Sequence, residues 1–568
     1  MTDATPSRLP SLPNLRRARR AVAALWLTLG LTLGLAGGAA AQGGVFSGSL
    51  EMNNQFFVRD PLIGAVGTPQ YDRQLYGADA WLDLRYRDQN GLQAGARFDM
   101  FLNSNLLNPT GSFNAQGIGR WFVRKRFGPL DLEGGYLYHQ IGSGIIFRSY
   151  EARALAIDNA LYGIRATYHF SDDLSVTGFA GRQKQQFELY ESNLRGVHVE
   201  HFTTLGDSTG RFSLAPGLGA VARTLDDDSM DLLVAEVSTY PAQDTFTPRF
   251  NTYALTAYNT LTYGPWTWYV EGAYKTPDAQ TDPEGIFRRD IGGEVIESRG
   301  EKLFQEAGTV LYTSLGWAAR GFGFSAEYKR TENFFWRTRP QATLNQGFIG
   351  FLPPMTRINT YRLTARYNAA TQELAEEAFQ FNAAYRVSRK LRVQANHSRI
   401  DDLDGRRLWR ETNLLVDYKH SRTDKFIAGL QRVYYDQELY ETKPGAPPVQ
   451  TVTPYGEWLH KFSRKRALRT EAQVLVTGED LGSWVFGLAE FTVAPHWTFT
   501  ASDMYLFDPA TAGASTQHYP RFDVFYAWRA NRVAASYIKQ VEGVVCSGGI
   551  CRLEPAFSGW RVSVFAQF

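Results

Sequence analysis

The chain alternates. In ALYGIRATYHF (160–170) one face of an extended backbone carries Tyr162, Ile164, Ala166, Tyr168 and Phe170, and the other carries Gly163, Arg165, Thr167 and His169. LQAGARFDMFLN (92–103) sets Leu92, Ala94, Ala96, Phe98, Met100 and Leu102 against Gln93, Arg97, Asp99 and Asn103, and FQFNAAYRVS (379–388) and LRTEAQVLVT (468–477) repeat the split. A period of two puts successive side chains on opposite faces of a strand. Runs of about ten residues match a strand tilted across a bilayer, whereas soluble sandwich strands average about five or six. Hydrocarbon cannot hydrogen-bond an open sheet edge, so such strands must close on themselves.

Composition removes the main competitors. A mean hydropathy of −0.31, 21% charged residues and a net charge of +3 exclude a helical membrane bundle and a polyelectrolyte that would hold nucleic acid non-specifically. Aromatics at 14% with 52 Gly suit many strands joined by turns. The first forty residues give a compartment. Arg16, Arg17, Arg19 and Arg20 precede an apolar run from Ala21 to Ala36, and Ala39-Ala40-Ala41 follows as a small-residue cleavage site. The expected organisation is a signal peptide at 1–41, cleaved near Gln42, and one domain at 42–568 placed in the cell outer membrane. An uncleaved anchor helix fits less well, because the apolar run is short and ends in small residues. No apolar pair follows the arginines as twin-arginine export requires.

Connectors fall into two groups. Asp88–Gly91, Gly128-Pro129, Ser171–Asp173, Gly264-Pro265, Ser421–Asp424 and Ala530-Asn531 are short and polar or Gly/Pro-bearing; 60–72, 105–116, 141–159, 277–302, 337–355, 441–450 and 508–517 are long. Short turns at one end and long loops at the other are the asymmetry of a transmembrane antiparallel β-barrel. About 20 to 22 residues per strand with its connector gives about 24 to 26 strands, and a direct parse gives about 26. Sidedness assigned from the two chain ends disagrees around 194–240 and 337–379, which implies a miscounted strand or a loop that folds inward.

The carboxyl end is FSGWRVSVFAQF. Trp560, Val562, Val564, Ala566 and Phe568 share one face, Arg561, Ser563 and Gln567 the other, and Phe565 is the exception. This resembles the terminal signature of bacterial outer-membrane β-barrel proteins. The resemblance implies an all-β barrel, an assembly signal at Trp560, Val562, Val564 and Phe568 read by the barrel-assembly machinery, and outer-membrane lipid and lipopolysaccharide as surroundings. GSGIIFRSYEARALAIDNALYGIRATY (142–168) also resembles a segment of an uncharacterised family of large outer-membrane barrels, which implies no activity.

A barrel of this size encloses a lumen its wall side chains cannot fill. Arg97, Arg165, Arg386, Arg392, Arg469 and Arg561 fall on polar faces near Asp99, Glu271, Asp417, Glu471 and Glu490. They read either as a charged pathway for anionic or polar solutes, or as a solvated wall stapled by Arg–carboxylate ladders. Loop 141–159 carries Arg148, Glu151, Arg153 and Asp158 and is expected to enter the lumen as a short helix and narrow it. Loop 337–355 carries Phe348, Ile349, Phe351 and Leu352; an apolar run of this kind marks a partner contact, folds inward as a plug, or packs on the barrel's own rim. Segment 277–302 reads as a mobile outer loop. Cys546 and Cys551 are the only thiols, and in an exported chain they are expected to form a disulfide in an outer loop before the last strand.

No chemistry is nominated. His198 and His201 sit three apart in an alternating run and so project to opposite faces. Asp226-Asp227-Asp228 lacks the remaining Ca²⁺ ligand spacing. HExxH, GxSxG and Walker patterns are missing from the sequence, and no catalytic residue, cofactor or metal site is expected. Alternation begins at Val45, with no globular plug expected before the barrel. The expected function is a pore or transporter for hydrophilic solutes, gated by infolded loops. The alternatives are a non-conducting scaffold that presents outer loops to an envelope protein partner, and a membrane-embedded hydrolase, which lacks a nucleophile motif.

Overall fold

The computed structural model describes residues 44–206, 212–291, 294–342 and 345–568. The expected signal peptide lies outside them. Twenty-four antiparallel strands form one closed barrel. In chain order they are β1 (Gly44–Phe57), β2 (Tyr76–Asp88), β3 (Gln93–Ser104), β4 (Phe113–Phe127), β5 (Leu130–Leu137), β6 (Leu161–His169), β7 (Leu174–Gln185), β8 (Glu188–His201), β9 (Phe212–Thr224), β10 (Asn251–Tyr263), β11 (Trp266–Ile291) and β12 (Glu294–Ala319). The second half comprises β13 (Phe322–Glu332), β14 (Ala375–Arg386), β15 (Leu391–Asp401), β16 (Arg407–Lys419), β17 (Asp424–Tyr435), β18 (Val449–Lys461), β19 (Arg466–Leu475), β20 (Gly482–Val493), β21 (Trp497–Pro509), β22 (Gln517–Trp528), β23 (Asn531–Gln540) and β24 (Phe557–Gln567). Each pairs with its sequence neighbours, and β1 pairs with β24 from Ser49↔Gln567 to Phe57↔Gly559. Phe568 completes the seam by exchanging two backbone hydrogen bonds with Gly48, at 2.7 and 3.0 Å.

The alternating faces map onto outside and inside. Tyr162, Ile164, Tyr168 and Phe170 are exposed on the outer wall, Ile164 at 68%, whereas Arg165 turns inward to Glu133 at 2.5 Å. Trp560 points outward, and Phe565, the exception in the terminal pattern, lies opposite the inward-facing Glu51. A belt of exposed apolar side chains around a sheet with no free edge is what contact with lipid requires, and the chain is a transmembrane barrel. β1 starts and β24 ends at the rim that carries the short turns, and the long loops share the opposite rim, the outer one in barrels of this kind.

The two ambiguous stretches resolve. After β9 the chain forms helix α1 (Asp227–Val237), not a further strand; Asp226 caps it by accepting from the Ser229 N–H at 2.8 Å. The described residues of 333–374 contain no barrel strand and fold inward. The count is therefore 24, at the lower end of the expected range and below the parse of 26. The mobile outer loop expected at 277–302 is instead the far half of β11 and β12, two strands of 26 residues each. Their ladder continues past the rim because α1 supports it: Leu233, Val237 and Tyr240 bury against Ala279 and Leu303, and the Tyr240 hydroxyl accepts from the Leu303 N–H at 2.9 Å.

Gly135, Gly163 and Gly181 stand in one row across β5, β6 and β7. A Cβ on Gly163 would lie 2.0 Å from the Ala180 carbonyl oxygen, and one on Gly181 2.3 Å from that of Tyr162. The row lets the sheet bend sharply. Gly163→Val is expected to destabilise the folded barrel by about 1–3 kcal/mol or more, read as a lowered urea midpoint in lipid vesicles, while Thr167→Ser, which keeps the hydroxyl that meets Thr177 at 2.9 Å, leaves it nearly unchanged.

Candidate functional site: two infolded loops in the lumen

The first infolded loop joins β5 to β6. Ile141, Ile145, Ile146 and Phe147 are fully buried in it, and two short ladders, 139–140 with 148–149 and 151–152 with 157–158, fold it back on itself. The short helix expected here is a single 3-10 turn at Arg153–Leu155. Gly142 and Gly144 hold φ of 55° and 104°, and Ala156 is left-handed at 58°, so a continuous helix is interrupted on both sides.

Charge fixes this loop to the wall. Arg97 on β3, 2% exposed, is held by Asp99 at 2.6 Å and reaches Glu151 and Asp158 of the loop, both at 2.8 Å. Lys184 on β7 meets Asp158 at 2.5 Å, and the Tyr138 hydroxyl donates to it at 2.9 Å. Arg153 lies over the Trp81 ring and contacts Glu51 on β1 at 2.5 Å and Asp83 on β2 at 3.3 Å. From that side the loop reaches β11, where Glu271 accepts the Ser143 N–H at 2.9 Å. Three of the four expected constriction residues are thus anchors. The fourth, Arg148, stacks on Tyr150 and on Phe351, 4.5 and 4.1 Å from their ring centres.

The second infolded loop joins β13 to β14, and the apolar run packs inward on the first loop and away from the rim. Trp336 Nε1 donates to the Ile146 carbonyl at 2.8 Å, Arg148 N to that of Ile349 at 2.9 Å, and Phe351 N to that of Gly144 at 2.9 Å. Phe348 offers its carbonyl to Asn159 at 3.0 Å and Gln183 at 2.5 Å. Ile349 is fully buried beside Ile145, and Leu352 packs on the same cluster. Further on, the loop crosses to the opposite wall. Asn359 donates to Glu411 on β16 at 3.0 Å, Leu363 N to Gln473 on β19 at 2.7 Å, and Gln431 on β17 to the Thr364 carbonyl at 3.0 Å.

A cavity of about 200 Å³ lies where the loops meet, among Ile145, Trp336, Phe348, Phe351 and the Arg337–Glu373 ion pair, 2.5 Å apart. A hairpin before β24, 543–547 with 550–554, reaches over it, and the Gly549 carbonyl accepts from Thr371 N at 2.9 Å. Gly548 and Gly549, with φ of 59° and 76°, form its two-residue turn. Cys546 and Cys551 stand directly opposite in its register.

The model of a Family of unknown function (DUF6029) matches residues 19–568. The chain belongs to that family. No curated protein matches it. Among solved structures it is similar to the P pilus usher (PapC) translocation pore, at 10% identity over 92% of this chain and 99% of that one, with a TM-score of 0.40. It is similar to the siderophore receptor PirA from Pseudomonas aeruginosa at 10% identity, 92% and 80% covered and a TM-score of 0.39. OccAB3 from Acinetobacter baumannii gives 9%, 70% and 98%, and 0.32. Likeness at these scores carries no inference about what the DUF6029 chain does.

One contact in the DUF6029 lumen escaped the sequence reading. His198 is buried on the inner wall and His201 exposed, as alternation requires, but His198 Nε2 meets His139 Nε2 at 2.9 Å. One ring must donate and the other accept there. The partners are 59 residues apart, and no spacing rule joins them.

Removing Arg97 leaves Asp99, Glu151 and Asp158 together without their shared cation. Arg97→Met is expected to destabilise the protein by about 3–5 kcal/mol and to open the loop to trypsin at Arg148 and Arg153. Arg97→Lys is expected to lie between. Peptide mapping of the folded protein checks both.

Proposed function

We propose that this barrel is an outer-membrane transporter for small hydrophilic solutes, gated by its two infolded loops, and not an enzyme. The observation that carries the reading is the nature of the seam between plug and wall. Part of it is ion pairs and single hydrogen bonds, which water and a polar solute can replace, beside the apolar cluster that joins Ile141, Ile146 and Phe147 to Phe179, Leu194 and Val221 of the wall. Beyond the plug the inner wall stays water-compatible, as where Arg469 is shared by Glu457 at 3.3 Å, Glu471 at 2.9 Å and Glu490 at 3.2 Å. Export by a cleaved leader and assembly through the Trp560–Phe568 signature belong to the same proposal.

The scaffold reading draws on the paired strands β11 and β12, which continue beyond the rim. Planar-bilayer recording separates the two. The wild-type protein is expected to open rarely, deletion of 345–355 to give steady channels, and Arg153→Ala to raise the opening frequency. A deletion variant that keeps its folded, heat-modifiable gel mobility and conducts nothing overturns the transporter and leaves the scaffold.

The hairpin register also supports a Cys546–Cys551 disulfide as a brace for the arm above the cavity. Alkylation of the folded protein is expected to label no cysteine before reduction and two after it. Labelling without reductant excludes the bond.

A further inference from the structure

Many of the inner arginines are paired with carboxylates; several outer ones are not. On β15 to β18 the outward residues nearest the loop rim are His397 and Arg399, then Arg410 and Thr412, then Arg432 and Tyr434, with Arg407 beside them at the start of β16. In the register, Arg399 stands opposite Arg410, and Thr412 opposite both His397 and Arg432. Like charges placed directly across a ladder repel. One buried carboxylate, Asp401, serves Arg399 at 2.6 Å and also pairs with Arg410. Arg407 lies over the Tyr434 ring at 5.0 Å, and among the described residues neither Arg407 nor Arg432 has a carboxylate within ion-pair distance. Two outward arginines elsewhere are answered within the chain: Arg330 by Glu332 at 2.9 Å, and Arg182 by Glu191.

These cations border a concavity of about 220 Å³ lined by Arg407, Arg410, Thr412, Arg432 and Tyr434. Directly towards the turns on the same outward rows come Leu414, Val416, Leu430 and Phe426, all exposed, while the exposed Val452 stands opposite Arg432 itself. Leu430 is two residues from Arg432, roughly 7 Å along the strand. The concavity therefore opens at the upper edge of the apolar belt, where acyl chains give way to headgroups. A guanidinium there meets either water or an anion carried by the lipid, and the planar donors of arginine fit phosphate oxygens. Basic pockets at this depth hold phosphorylated headgroups.

We propose that the outer wall of β15–β18 is a binding site for the phosphates of an outer-leaflet glycolipid, with Arg407 and Arg432 as the principal ligands. Arg410, Thr412 and Tyr434 complete the donor set, and the Leu414–Leu430 surface receives an acyl chain. This does not rest on the transporter reading, since it concerns the opposite face of the wall.

The test titrates the full-length protein, folded in detergent micelles, with bisphosphorylated lipid A and with lipid A freed of its phosphates, and reads retained lipid by native mass spectrometry. The wild-type protein is expected to hold the phosphorylated form about thirtyfold more tightly. Arg407→Gln/Arg432→Gln is expected to remove that preference, and Arg407→Lys/Arg432→Lys to keep most of it. Equal retention of the two lipids by the wild type, which needs no variant, overturns the proposal, as does a folded glutamine variant with an unchanged preference. Displacement of the bound lipid by millimolar inorganic phosphate overturns the lipid source and assigns the arginines to free phosphate.

Discussion

Every backbone N–H and C=O at hydrocarbon depth must find its partner within the protein, and the rest of the molecule follows from that requirement. A sheet with two free edges fails it, so β24 returns to β1 and the Phe568 backbone pairs with Gly48 at the very end of the chain. Closure then divides each alternating strand into a lipid face and a lumen face. A slip of one residue in the β1–β24 register would exchange them, sending Glu51 into lipid and Met52 inside. The terminal aromatic pattern is thus a register device as well as an end.

A ring of 24 strands creates a second requirement: its lumen is too wide for wall side chains alone. The chain fills it with its own loops, and the interior acquires two apolar clusters beside its charged wall. One gathers the first infolded loop and the base of the second against β5–β13. The other joins Met355, Leu363 and Tyr367 of the second loop to Trp409, Tyr435 and Trp484 on the wall. Between them run buried charges. An ion pair inside a protein is weak evidence for stability, because an apolar pair of the same shape often does as well. Arg97, shared by Asp99, Glu151 and Asp158, instead fixes where the loop can sit, since any other position leaves charges unmatched.

Much of this was legible in the sequence where the physics is local. Ile164 outward and Arg165 inward follow from the pleat, and the length of the alternating runs gave the barrel its class. Misreadings arose where the same local pattern serves another structure. Met230, Leu233 and Val237 are apolar at helical spacing in a short segment next to alternating strands, and one helix there shifts every later assignment of sides. The mixed charge of 277–302 looks like a loop because, beyond the rim, a strand faces water on both sides and needs no apolar face. The loop acids Glu151 and Asp158 announced a charged segment, but their partners Arg97 and Lys184 come from other strands. Such pairings exist only after folding, as with His139 and His198.

Arginine therefore means three things in one wall, and only its position separates them. Inside the plug seam it is surrounded by carboxylates of the chain. At the turn rim Arg386, Arg389, Arg392, Lys419, Arg422 and Lys461 surround a cavity of about 370 Å³ that includes just Asp417 and Asp424 among its lining acids, and bulk water on that side can solvate the excess. On the lipid face near the loop rim neither remedy is complete, because Asp401 is already shared and hydrocarbon begins at Leu430. A near-zero net charge over the whole chain conceals this. The charges balance in sum, yet are distributed so that the inner seam neutralises itself while each end of the outer surface is left to its own solvent.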